Sequence, residues 1–400
     1  MTDQTVISEP MPPVVYAMTV AAGLGAANLH YSQPLLPSMA YSFGVSVSSI
    51  GFLPALTQLG FALGILCVLP LADLLERRSL IVTLLCLVAG ALFLHAAART
   101  PNVLLLAGFL VGLTGVVPQL LTPFASILAP PGRAGAAVGL VLSGVLTGVL
   151  LSKVLAGFIT QGLGWRDLYR IAGVLMIVLA LGLRLILPKS RSDNKLGYGD
   201  LLRSTFVLAR SEKRLRRHAL NGGVTFAAFM AFWATYAVFL YERYGYGPAI
   251  AGLFGVAGFA GAIAASFAGR AIDRGEYRPT LLFAGSLMIA GFLLLFWSGT
   301  SPILMVAGLL LLDAGAGISH SANQTKAFAI NPAARGRINS VYMFGYFIGG
   351  SLGTLVATFA FEWGGWLGVC FFGLVLAMLL VSIELFRPLD RLAGPGRNDS

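Results

Sequence analysis

The sequence predicts an all-α membrane protein of twelve transmembrane helices in two pseudo-symmetric six-helix bundles. Three observations predict it. Charged residues make up 11% of the 400, against 57% hydrophobic, at a mean hydropathy of +0.83, whereas a soluble domain carries about 25% charge. About twelve apolar runs reach the roughly 20 residues that a bilayer crossing needs. Polar landmarks of the first half also return in the second, about 200 residues later.

The expected spans of the first bundle (14–188) are 14–40, 48–72, 79–98, 103–127, 135–160 and 167–187. Those of the second (219–386) are 219–241, 248–270, 279–298, 303–328, 338–361 and 366–386. A basic linker, 189–218, joins the bundles, and tails 1–13 and 387–400 flank them. With the first tail inside, 22 of the 27 Lys and Arg residues fall on the cytoplasmic side. Only Arg99, Arg166, Arg170 and Arg243 fall outside, and Lys153 lies within a span. This positive-inside asymmetry places both termini in the cytoplasm. It also accounts for the net charge of +11 as topology, so no nucleic-acid partner is expected. The first tail has neither the basic start nor the cleavage site of a signal peptide. Cys67, Cys86 and Cys370 are odd in number, lack metal spacing and read as buried thiols.

Span 1 carries ANLHYSQPLLP, five hydrogen-bonding side chains where apolar ones are expected. At about 100° per residue Asn28, Tyr31, Ser32 and Leu35 share one face, while His30 and Gln33 point the other way. Asn28 and Tyr31 are assigned to a cavity, and His30 and Gln33 to inter-helix or gate contacts. Pro34 and Pro37 loosen the outer end, where the helix must bend. Span 2 places Gln58 near the midplane. Spans 3 and 9 have almost no central polar groups and read as lipid-facing. Span 4 offers Thr114, Gln119 and Thr122. Span 5 is rich in small residues, Gly139, Gly144, Gly148 and Gly157, which let helices approach closely. Its Lys153 either snorkels to the interface or holds an anion or a gate pair.

Span 7 sets Phe226, Phe229, Trp233 and Tyr236 at spacings of three and four, a stripe for packing or for a cavity wall. In span 10, Asp313 lies about ten residues in, about 15 Å deep at 1.5 Å per residue. An ionisable residue at that depth is costly and is a functional candidate by default. His320 and Gln324 follow on the same helical face. A proton and a substrate could compete for Asp313, with His320 passing the proton on. The bland alternative is a carboxylate hydrogen-bonded to a neighbouring helix. Span 11 adds the pair Tyr342 and Tyr346. Gly144, Gly148 and Trp165 recur as Gly345, Gly349 and Trp366, and LADLLERR (71–78) aligns with AIDRGEYR (271–278).

Those two loops resemble the Gly-x-x-x-Asp-Arg-x-Gly-Arg-Arg pattern of the major facilitator superfamily. The second keeps Gly269, Asp273 and Arg274. The first keeps Asp73, Arg77 and Arg78 but has Leu69 and Glu76 in place of glycines. NLHYSQPLLP, LTQLGFALG, GVLTGVLLSKVLAGF and SANQTKAFAINPAARGRINSVYMFGYFIGG extend the resemblance over nearly the whole chain, towards bacterial drug or sugar efflux permeases. The resemblance implies the twelve-helix fold, with spans 1, 4, 7 and 10 lining a cavity, and proton-driven transport. Asp73, Arg77, Arg78, Asp273 and Arg274 then read as a cytoplasmic latch, the alternative being an interfacial charge cluster that only anchors the loop. In the antiporters of the superfamily a glycine motif seals span 5 against its partner across the axis; here Val149 replaces its proline. The acid of span 1 and the arginine of span 4 seen in many drug antiporters are missing. Proton coupling then rests on Asp313, His320 or His30, and cation binding by a span-1 carboxylate is not expected.

The expected substrate site comprises Asn28, Tyr31, Gln58, Phe229, Trp233, Tyr236, Asp313, Gln324, Tyr342 and Tyr346, with Lys153 among the gating residues. The expected activity is efflux of a small organic molecule against protons, by a monomer in a bacterial inner membrane. Proton-coupled uptake is the runner-up. A membrane-embedded enzyme is disfavoured by the lack of HExxH, DDxxD or GxSxG in a suitable setting, and a channel by the internal repeat. No P-loop, metal site or cofactor is expected; an ion gradient supplies the energy.

Overall fold

The computed structural model describes residues 10–191, 197–261, 263–265, 274, 276–331 and 334–386. Among these the chain is nearly all helical. Pro13 opens α1 (Pro13–Ala27), where its missing N–H costs nothing. Beyond Ala27 the chain passes through turns and a 3-10 segment, Gln33–Leu35, before α2 (Leu36–Phe43). Pro34 and Pro37 cannot donate to an α-helical ladder, which fits a break here. Then come α3 (Val47–Ile50), α4 (Leu53–Cys67), α5 (Arg77–Ala97), α6 (Pro101–Thr114), α7 (Val117–Leu128), α8 (Ala134–Leu163) and α9 (Trp165–Ile186). A linker helix, α10 (Tyr198–Ser211), leads to α11 (Lys213–Tyr244), α12 (Pro248–Leu253), α13 (Tyr277–Phe296), α14 (Pro302–Ala329) and α15 (Arg335–Phe386).

Ten helical segments among the described residues are long and apolar enough to cross a membrane, and α1 is a shorter apolar helix. The 52-residue α15 kinks at Gly365, whose φ of 58° is a left-handed conformation that favours glycine. Each half has its own apolar core. One cluster runs from Met11 to Leu187, and the largest cluster of the second half runs from Phe226 to Leu380. The three cysteines are free, but Cys86 is exposed on the outside of α5 rather than buried as expected.

The repeat is visible in how helices cross. In the first half α1 meets α8 so closely that a Cβ on Gly23 would stand 2.6 Å from the Gly144 carbonyl oxygen. In the second half α11 meets α15 in the same way, and a Cβ on Gly223 would stand 2.8 Å from the Gly345 oxygen. Gly148 and Gly349 back onto the same two partners, Gly23 and Gly223. These glycines therefore seal helices within a half. The expectation of a seal across the axis at Gly144 and Gly148 is corrected, because both face α1. Contact between halves comes further along α8, where Gly157 lies against the backbone of Pro248.

The halves also meet along α4 and α15. Ser351 Oγ donates to the Ala55 carbonyl at 2.8 Å, and Thr358 Oγ1 donates to that of Gly51 at 3.3 Å. The Phe61 and Phe347 rings lie 4.5 Å apart between centroids. The contacts at Gly51, Ala55 and Gly157 lie in the half of the spans remote from the basic linker, which we call the far side. On the linker side α10 bridges the halves: Tyr198 Oη donates to the Cys67 carbonyl at 2.8 Å, and Leu208 packs on the cluster containing Ile338.

A Gly148→Val substitution is expected to lower the thermal unfolding midpoint in detergent, since overpacking typically costs about 1–3 kcal/mol. Gly139→Val should leave it unchanged, because nothing lies within 4 Å of a Cβ there.

Candidate functional site

Two buried charged residues come together between the halves. Lys153 of α8 is 3% exposed and Asp313 of α14 is 2% exposed. Lys153 does not snorkel to the interface. Its Nζ lies 2.9 Å from the ring centroid of Trp233 in α11. The Trp233 indole N–H donates to Asp313 Oδ1 at 3.4 Å, while Asp313 Oδ2 has no hydrogen-bond partner. The tryptophan therefore stands between a cation of the first half and a carboxylate of the second.

A strip of glycines lets these groups converge. Gly252, Gly255 and Gly258 recur every third residue; Gly252 lies near the end of α12, and the 3-10 helix Phe254–Gly258, with three residues per turn, keeps Gly255 and Gly258 on one line. A Cβ at Gly255 would stand 2.9 Å from Lys153 Cβ, and one at Gly258 would stand 3.5 Å from Asp313 Oδ2. Gly261 continues the line, where a Cβ would meet the Asp313 carbonyl at 2.8 Å. This strip is part of the site, and sequence reasoning missed it. The signal available was the GxxGxxGxxG spacing of residues 252–261.

Two glutamines of the first half reach the neighbouring turn of α11. Gln58 Nε2 points at the Met230 sulfur at 3.6 Å and Gln33 Nε2 at 4.0 Å, leaving both side-chain oxygens buried without partners. The Tyr236 hydroxyl donates to the Ala251 carbonyl at 3.1 Å. Phe229 lies 6.1 Å from Trp233, and Phe226 stacks on Tyr346 at 4.1 Å. From there a polar line descends towards the linker side. The Tyr346 ring lies 4.4 Å from that of His320, and Tyr342 Oη lies 3.1 Å from His320 Nδ1. Gln324 Nε2 donates to Asn339 Oδ1 at 3.5 Å, well away from Asp313.

The expected facing of the polar stretch in span 1 is corrected for Asn28 and Tyr31, whereas Gln33 makes an inter-helix contact of the kind expected. Asn28 Nδ2 points at the Met176 sulfur at 3.2 Å, and the Tyr31 ring packs edge-on against Tyr169 at 6.2 Å, both inside the first half. Gln33 is the residue turned to the second half, and His30 lies within electrostatic reach of Lys153 while hydrogen-bonding the Ala26 carbonyl at 3.1 Å. The cause is backbone geometry: the α-helix ends at Ala27, so a helical wheel does not carry through Asn28–Leu35.

The loop after α4 works within its own half. Glu76 caps α5, accepting the backbone N–H groups of Arg78 and Ser79, each at 3.1 Å. Arg77 donates to Ser190 Oγ at 3.0 Å and Arg78 to the Leu187 carbonyl at 3.3 Å. No hydrogen bond or ion pair of Asp73 occurs among the described residues. Arg274 is exposed, and Asp273 lies outside the described residues. A second buried acid, Glu384, was not anticipated; it accepts from Asn221 Nδ2 at 2.9 Å near the end of α15. His218, Asn323 and Tyr277 form a buried cluster nearby, with Tyr277 Oη donating to Asn323 Oδ1 at 3.1 Å. Their positions at the ends of apolar runs resemble ordinary interfacial polarity.

Paired helical halves around buried charges define a membrane transporter. The profile of the Major Facilitator Superfamily matches residues 15–354 and 219–399, and the chain belongs to that family. It is 40% identical over 369 residues to an uncharacterized transporter of Escherichia coli K12, YgaY, covering 92% of this chain and 94% of that one. A transporter of Streptomyces coelicolor is 34% identical over 358 residues, covering 88% and 82%. Among solved structures, a bacterial homologue of the human lysosomal transporter Spinster, inward-facing and unoccupied, superposes with a TM-score of 0.70. The identity is 18%, and 95% of each chain is covered.

Cysteines introduced at Ala55 and Ser351 should join through a short bifunctional thiol reagent in the state described. Such a cross-link is expected to stop transport until it is reduced; unimpeded transport would mean that the halves need not separate there.

Proposed function

We propose that the protein exports a small organic molecule across a bacterial inner membrane in exchange for protons, as a monomer. It works by alternating access between two six-span halves, with both termini in the cytoplasm. The observation that carries this reading is Asp313, a carboxylate buried at mid-span with one oxygen unpartnered. Such a group can hold either a proton or a ligand's donor, and that exclusivity is what coupling requires. When the far side is open, Asp313 takes a proton and releases its cargo. Once the halves rock, the proton leaves towards the linker side, past Tyr346, His320 and Tyr342. Arg77 and Arg78 keep the cytoplasmic loop in register with α9 during this motion. The excess of basic residues on the linker side supports the orientation, and the similarity to efflux permeases supports the direction.

Asp313→Asn should abolish substrate movement driven by a pH gradient in proteoliposomes, while the purified variant elutes and melts as wild type. Undiminished pH-driven transport by the variant would overturn the assignment. Substrate moving in the same direction as protons would make the protein a symporter.

A further inference from the structure

Taking the Lys153–Trp233–Asp313 cluster as the transport site proposed above, we infer that the site takes the ammonium head of an organic cation, and that Lys153 occupies this position while the far side is closed.

The Trp233 face already holds an ammonium, 2.9 Å from the ring centroid, and an aromatic face attracts cations through its quadrupole. At the N–H edge of the same ring, Asp313 Oδ2 is buried and accepts nothing. An unmet buried acceptor is costly, and a ligand's N–H would satisfy it. Lys153 does not do so: no N···O contact of 4.0 Å or less joins it to Asp313 among the described residues. The lysine thus engages the aromatic half of a cation site and reaches the carboxylate only through space, leaving its Oδ2 without a donor.

The origin of the three groups gives this meaning. Trp233 and Asp313 belong to the second half, and Lys153 arrives from the first on α8. Separation of the halves on the far side withdraws the tethered ammonium and bares the ring and the carboxylate together. Gln33 Oε1 and Gln58 Oε1, buried and unpartnered one turn away around Met230, offer further acceptors. The same separation would bare the glycine strip at Gly252, Gly255 and Gly258, which here packs against Leu150 and Lys153, as a flat wall for an apolar body. An anion would gain Lys153 but would face the Asp313 carboxylate and the electron-rich ring.

The test is calorimetric titration of the full-length protein in detergent at neutral pH with phenethylammonium, and with 3-phenylpropionate as the anionic counterpart. Wild type should bind the cation and not the anion. Lys153→Met removes the tethered competitor, so it should bind phenethylammonium at least about tenfold more tightly. Trp233→Leu should weaken binding by about tenfold or more. Lys153→Gln replaces the Met variant if that fails to fold, with the same tightening expected. The inference is overturned if loss of the lysine charge leaves cation affinity unchanged, if no variant binds the cation, or if wild type binds the anion and the lysine variants lose it. No gradient enters this measurement. A negative result here, beside a positive Asp313→Asn result in proteoliposomes, removes the cargo class and leaves the transport reading standing.

Discussion

The structure depends on one constraint: an ammonium and a carboxylate at mid-membrane depth must each find compensation away from water. A charge at the centre of a membrane helix costs about 2.5–3.5 kcal/mol even on the most lenient scale. Lys153 recovers part of that on the Trp233 face, where a desolvated cation–π contact is worth about 2 kcal/mol or more. Asp313 is held by the indole N–H of the same ring. Because the lysine comes from one half and the other two groups from the second, the compensation of the lysine depends on contact between the halves. Chemistry and conformation are tied through a single tryptophan.

Glycine is what allows the closure. Two sets of close crossings, Gly23 on Gly144 and Gly148 and Gly223 on Gly345 and Gly349, make each half a rigid unit. Without hydrophobic driving force between helices in lipid, such backbone approach is a main source of association. A different set, Gly252, Gly255 and Gly258, lies between the halves and lets α8 bring Lys153 against the second half. Rigid halves with a smooth contact between them are what the proposed rocking requires.

The fold was largely legible in the sequence, because apolar length and glycines recurring at an offset of about 200 report directly on span and crossing. Asp313 stood out because a charge inside an apolar run has no cheap explanation, and the structure shows it buried beside Trp233. What failed was local direction. The faces of Asn28 and Tyr31 follow from an ideal helix, and the α-helix stops at Ala27. For Lys153 snorkelling and a gate pair stayed open, because nothing in its own span shows what covers it. The cover is span 8, whose glycine strip carries no charge or polarity to draw attention. Glu384 sits at the end of an apolar run, where an acid has an ordinary interfacial explanation.

The most direct measurement of the Lys153–Trp233–Asp313 link is the distance across the far side. Spin labels at Tyr41 and Tyr241, which are 89% and 56% exposed, report on the ends of α2 and α11 by pulsed electron resonance. Wild type without substrate should give a dominant short distance. In Trp233→Leu, where Lys153 loses its seat and Asp313 its donor, a second, longer population should appear. An unchanged distribution in that variant would contradict the account, because the far side would then close without the interaction on which the structure is said to depend.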